Sequence, residues 1–172
     1  MTTPAHQSAR TERRRTPTPE QREKLRIYPN TVLEFTRGVR IDLRTPIGHR
    51  EQSALASIGL DEPFAVVTAE NPCGRTPDEA GSEFARVRAE TTNEARSQTL
   101  EAELRRQAIP FEVLDGASPD GSHRERSVAM KVSRHTAETI ADALDQLAIF
   151  WFDGRQFWLV PVAVKGEPAP LP

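Results

Sequence analysis

The sequence predicts an α+β or α/β domain in which helices layer on a mixed sheet. Three observations lead there. Short runs of strand formers recur, segments with helical apolar spacing separate them, and the order is β-β-α-β-α-β-β-α-β-β. Within that order, Phe64 to Phe152 reads β-α-β-β-α-β, the split arrangement of a ferredoxin-like core.

Thr31 to Phe35 and Val39 to Leu43 both alternate, and Arg37-Gly38 lies between them, which predicts a hairpin. Glu51 to Ile58 places Ala54, Leu55 and Ile58 on one helical face, and Gly59 stops it. Pro63 to Thr68 is continuously apolar, the pattern of a strand covered on both faces. A polar connection follows from Ala69 to Thr92, with Phe84 and Val87 spaced as one further helical turn. Asn93 is a predicted N-cap for a helix over Glu94 to Gln107, which buries Leu100 and Leu104 and pairs Glu101 with Arg105. Phe111 to Leu114 and Ser127 to Val132 are strands around the turn residues Ser118-Pro119-Asp120-Gly121. Ser133 or Thr136 caps a helix through Leu147, with Ile140, Ala143, Leu144 and Leu147 on one face. Ile149 to Phe152 and Phe157 to Val160 make the last hairpin, on an Asp153-Gly154 turn of type I′.

The ends read differently. The chain has 172 residues, a hydrophobic fraction of 37% and 14 prolines, six of them in the first nineteen and last five residues. Those totals fit a single folded domain over 27–163 flanked by a disordered basic tail, 1–26, and a disordered Pro-rich tail, 164–172. The first 26 residues carry a surplus of four positive charges, so with a formal net charge of -2 the remainder is acidic by about six. An acidic body makes nucleic acid a poor partner except through the arm. The single cysteine, Cys73, excludes an internal disulfide and a cysteine-rich zinc site, and His123 and His135 have no metal-ligand spacing. Neither a metal nor a cofactor is expected. No apolar stretch is long enough to span a membrane, and no signal core follows Met1, which makes the cytoplasm the expected location.

Several short pieces, taken in order, carry a family resemblance: Ile41-Asp42-Leu43-Arg44, Thr68-Ala69-Glu70-Asn71-Pro72, then Asn93, Arg96, Leu100 and Leu104, then Glu125 and Ser127, and Gln146 ahead of Ala148-Ile149. From about Ile41 to Phe152 the chain resembles a bacterial family, the domain of unknown function DUF3293. The resemblance implies a shared fold and a shared polar cluster. It implies no activity.

The cluster consists of Thr68, Asn71, Asn93, Arg96, Glu125 and Ser127. Thr68 and Asn71 leave the C-terminal end of the apolar strand, and Asn93 opens the following helix. Strand ends beside helix N-termini are where open α/β sheets bind ligands, and free N–H groups there favour anions. Arg96 adds positive charge, so the expected ligand is small, polar and anionic. Asp42, Glu70 and Glu125 are the carboxylates available as a general base, with Arg44 and Arg96 as competing ion-pair partners. No residue is assigned a catalytic role, and whether the chain is an enzyme stays open. Cys73 reads as an incidental loop thiol. The alternative is an interaction module, in which the aromatic hairpin with Trp151 and Trp158, together with the basic arm, meets a protein or, weakly, a nucleic acid while the polar cluster only fixes the fold.

Overall fold

The computed structural model describes residues 14–74 and 82–172; the expectations that fall on 1–13 and 75–81 lie outside the described residues. Eight strands form one sheet: β1 (Val32–Phe35), β2 (Arg40–Asp42), β3 (Phe64–Thr68), β4 (Phe111–Ala117), β5 (Arg124–Met130), β6 (Ala148–Phe152), β7 (Phe157–Pro161) and β8 (Ala169–Pro170). Among the described residues four α-helices accompany them: α1 (Pro19–Ile27), α2 (His49–Ser57), α3 (Glu83–Arg106) and α4 (Arg134–Ala143). The sheet order is β2-β1-β4-β5-β3-β6-β7-β8.

The α+β class is as the sequence predicts. Every neighbouring pair in the sheet is antiparallel, where a mixed sheet was expected. The reason lies in the connectivity. The β3-α3-β4-β5-α4-β6 stretch inserts β5 between β3 and β4 and lays β6 outside β3, so each helical crossover skips a strand. That is the ferredoxin-like core. The β1–β2 hairpin extends it beside β4, and β7 and β8 extend it beside β6.

β3 is central, and its alternation divides two cores. Phe64 and Val66 belong to a cluster with Leu55 and Ile58 around α2, against which Leu25 and Tyr28 also pack. Ala65, Val67 and Ala69 belong to a second cluster with Leu100 and Leu104 of α3 and with Ala137 and Ala141 of α4. Burial on both faces is why the sequence of β3 is apolar without alternation.

Local differences have local causes. The predicted helix cap at Asn93 is corrected: α3 is capped eleven residues earlier, with the Ser82 hydroxyl accepting the Ala85 N–H at 3.3 Å. No Gly or Pro interrupts Glu83 to Arg106, and Glu83 opens and Arg105 and Arg106 close the helix in keeping with its dipole. α4 is capped by Ser133 but ends at Ala143, where Asp145 turns left-handed at φ +57°, and Leu147 is buried from the connection rather than from the helix. The last hairpin closes over four residues, since Phe152 pairs with Phe157 and Asp153 Oδ1 accepts the N–H groups of Arg155 and Gln156.

Within the two stretches expected as tails, the described residues 14–26 and 164–172 carry secondary structure and contacts. Thr18 and Gln21 form a capping box, with Pro19 at the first helical position, and this starts α1. Arg15 bridges to Val164. At the other end Leu171 is buried, and its N–H donates to the Phe157 carbonyl at 2.8 Å. Among the described residues no helix is long and apolar enough to cross a membrane.

Candidate functional site

The C-terminal end of β3 lies against the first half of β5, with Thr68 opposite Ser127. Thr68 Oγ1 donates to the Arg126 carbonyl at 2.8 Å and accepts the Glu70 N–H at 3.0 Å, which bends the chain out of the strand. Asn71 then adopts φ +48°, a left-handed conformation that asparagine tolerates better than most side chains.

Asn93 holds it there. Asn93 Oδ1 accepts the Asn71 N–H at 2.9 Å, and Asn93 Nδ2 donates to Asn71 Oδ1 at 2.7 Å. Asn71 Nδ2 donates in turn to Glu125 Oε1, which also lies 3.2 Å from His123 Nε2. Asn71 and Asn93 are 4% and 8% exposed, and in such a place an unpartnered amide would cost about 1–3 kcal/mol.

α3 supplies one wall as a polar stripe. Asn93, Ser97 and Glu101 are four residues apart, share one face and are all buried. Ser97 Oγ donates to Glu70 Oε1 at 3.0 Å, and the Arg126 N–H donates to Glu70 Oε2 at 3.2 Å. Burial pushes the Glu70 carboxyl up from its ordinary 4.5, against the lowering effect of those two donors, and Glu125 and Asp115 push the same way as burial. Glu101 is held below its ordinary value chiefly by the Arg126 guanidinium, whose Nε is 2.6 Å away; the expected partner Arg105 is farther, at 3.1 Å.

Arg96 has a different duty from the one expected. Its Nε donates to the Ala69 carbonyl and its Nη2 to the Leu144 carbonyl, each at 2.6 Å. It therefore staples the end of β3 and the C-cap of α4 to α3. Gln146 Nε2 adds a bond to the Glu70 carbonyl at 2.8 Å. The expected helix N-terminus is also elsewhere: Asn93 lies ten residues into α3, roughly 15 Å from its start. The anion-favouring N–H groups of a helix start are not at this cluster.

Three of the six predicted residues, Asn71, Asn93 and Glu125, are thus joined by hydrogen bonds at the β3 end, and Thr68 lies beside them, bonded to Arg126 and Glu70 instead. Arg96 stands behind them as a brace. Ser127 is buried in register with Thr68, and its hydroxyl donates to the Glu125 carbonyl at 3.3 Å. The residues missed were Ser97, Arg126 and His123, and Glu101 was assigned only to Arg105. The four-residue spacing of polar side chains beside Leu100 and Leu104 was the available signal for the α3 stripe. Asp42 lies on the edge strand β2, where Arg44 Nη2 holds it at 2.6 Å and keeps its carboxyl low. The side chain of Cys73 lies outside the described residues.

The clearest cavity, about 280 Å³, is not at this cluster. It lies between α2 and the β6–β7 hairpin, lined by His49, Gln52, Ser53, Leu60, Asp61 and Phe152 among others. The aromatic hairpin is largely committed to packing. Phe152 and Phe157 are core, Trp151 and Trp158 are half-buried, and Trp158 Nε1 donates to Asp153 Oδ2 at 2.8 Å. Among the described residues, no three His, Cys, Asp or Glu side chains converge as metal ligands.

Residues 67–149 match the model of a family described as "Protein of unknown function (DUF3293)", which bears out the family resemblance of the sequence. The matched segment runs from the end of β3 to the start of β6 and contains every residue of the polar cluster. No curated protein and no solved structure matches the chain.

Proposed function

We propose that this chain, similar over residues 67–149 to the DUF3293 family, binds a small polar molecule at the end of β3, with the Glu125 carboxylate as its recognition group. One observation carries the reading. Glu125 Oε1 is fixed by Asn71 and His123, while Oε2 has no hydrogen-bond partner among the described residues and the side chain is 24% exposed. A carboxylate oriented in advance by bonds on one oxygen offers the other to a donor without further ordering cost.

The ligand class follows from the charges. Anion binding was expected from Arg96 and a helix start, but Arg96 is engaged with two carbonyls and the helix start is a distant one. Of the six expected residues, the one with an open oxygen at the rim is Glu125, an acceptor. A ligand bearing hydroxyl, amine or amide donors suits it better than an anion.

Thermal shift of the full chain against panels of polyols, amines, amides and carboxylates tests this. Donor-bearing compounds should raise Tm, and Glu125→Gln should remove the response while leaving the unliganded Tm nearly unchanged. A response confined to carboxylates, or one that survives in Glu125→Gln, would defeat the reading.

A further inference from the structure

The helix α1 lies outside the matched segment, yet it reaches the turn that follows Asn71. That turn is a single 3-10 segment, Pro72–Gly74. Lys24 Nζ donates to the Gly74 carbonyl. A Cβ on Gly74 would stand 3.0 Å from Lys24 Cδ and 3.3 Å from the Tyr28 hydroxyl, and Gly74 has φ +75°. The backbone angle favours glycine here, and an added Cβ would crowd Lys24 and Tyr28. The Gly74 N–H donates to the Asn71 carbonyl at 2.8 Å, so the contact runs from Lys24 through Gly74 to Asn71 and on to Glu125.

The hold of α1 on the body is slight. None of its nine residues is fully buried, and a helix this short does not persist in water on its own. Its anchors lie mostly at its ends. Before it, Arg14 Nη2 pairs with Glu138 at 2.8 Å and the Arg15 carbonyl accepts the Lys165 N–H at 2.8 Å. At and after its last turn, Leu25 packs on the core and the Tyr28 ring lies 6.5 Å from that of Phe150. Such an element opens at lower cost than the sheet beneath it.

We propose that α1 is a detachable strap that locks the Pro72–Gly74 turn, so that its release loosens Asn71 and the Glu125 carboxylate beyond it while the sheet stays folded. The inference concerns the turn itself and holds whether or not a ligand binds at Glu125. Amide hydrogen exchange on the full chain tests it, with Lys24→Met keeping the aliphatic stem and removing the ammonium. Exchange at the Asn71 and Gly74 amides should accelerate about tenfold, and the β4–β5 ladder should be unaffected. Arg26→Ala, on the exposed side of the same helix, should change neither. A second variant, Gly74→Ala, should reproduce the local acceleration by crowding Lys24 and Tyr28. Unchanged exchange at Asn71 in both variants, or equal acceleration across β4 and β5, would overturn the strap.

Discussion

Asn71 and Asn93 meet amide to amide across the end of β3: one asparagine side chain satisfies both the backbone N–H and the side-chain carbonyl of the other, at 2.9 and 2.7 Å. Because the pair acts as a unit, its single variants should not add. Asn71→Ala and Asn93→Ala should each cost about 1–3 kcal/mol through a stranded partner, and the double variant clearly less than their sum. Urea unfolding of the four proteins measures the cycle. Additive losses would mean that the two amides stabilise the fold separately.

The left-handed backbone at Asn71 permits a finer test. Asn71→Gly and Asn71→Ala lose the same amide, but glycine adopts φ +48° without strain whereas alanine does so at a cost. The glycine variant should be the more stable of the two, by about 1 kcal/mol. Equal midpoints would show that the turn relaxes once the amide is gone.

Arg96 should behave as a structural residue. Arg96→Met leaves the carbonyls of Ala69 and Leu144 without their donor and should lower stability by about 2–3 kcal/mol. Arg96→Lys should recover little of this, because one ammonium does not reproduce a fork that reaches two carbonyls. Full rescue by lysine would indicate that charge, rather than geometry, is what the site needs.

The two buried-side carboxylates should titrate with opposite effects on stability. Glu70 is raised in the folded state, so folded protein holds that proton longer than unfolded protein does. Its charged form is a burden that is absent below 4.5 and complete once pH passes the raised value. Glu101 is lowered by Arg126, so its contribution is present above 4.5 and lost as pH falls through the depressed value. The stability of wild type relative to Glu70→Gln should therefore fall as pH rises from 4.5, whereas that relative to Glu101→Gln should be flat there and fall only in more acid solution. A rise with pH in the Glu70 comparison would mean that its donors outweigh its burial.

Much of the fold was legible because the signals were local. β3 announced double-sided burial by its run of apolar residues, and Gly38 and the Ser118-Pro119-Asp120-Gly121 turn marked two hairpins. The antiparallel sheet was less legible, since insertion of β5 between β3 and β4 depends on pairing partners far apart in sequence. For the site, Asn71 and Glu125 were visible as polar residues at strand ends. Asn93 was read as a cap because asparagine so often caps helices, and the real start at Ser82 lay behind a segment with little apolar periodicity. The role of Arg96 was hidden for another reason: its partners are main-chain carbonyls, which have no signature in the side-chain sequence.

Side-chain amide NMR reads the proposed recognition at Glu125 and the asparagine pair behind it at the atoms concerned. A donor-bearing compound that raises Tm should be titrated into labelled protein while the amide signals of Asn71, Asn93 and Gln52 are followed. Gln52 reports on the separate cavity beside α2. Saturable shifts are expected at Asn71 and Asn93, abolished in Glu125→Gln, with Gln52 unmoved. Shifts at Gln52 with Asn71 and Asn93 silent would contradict it and place recognition in the cavity between α2 and the β6–β7 hairpin.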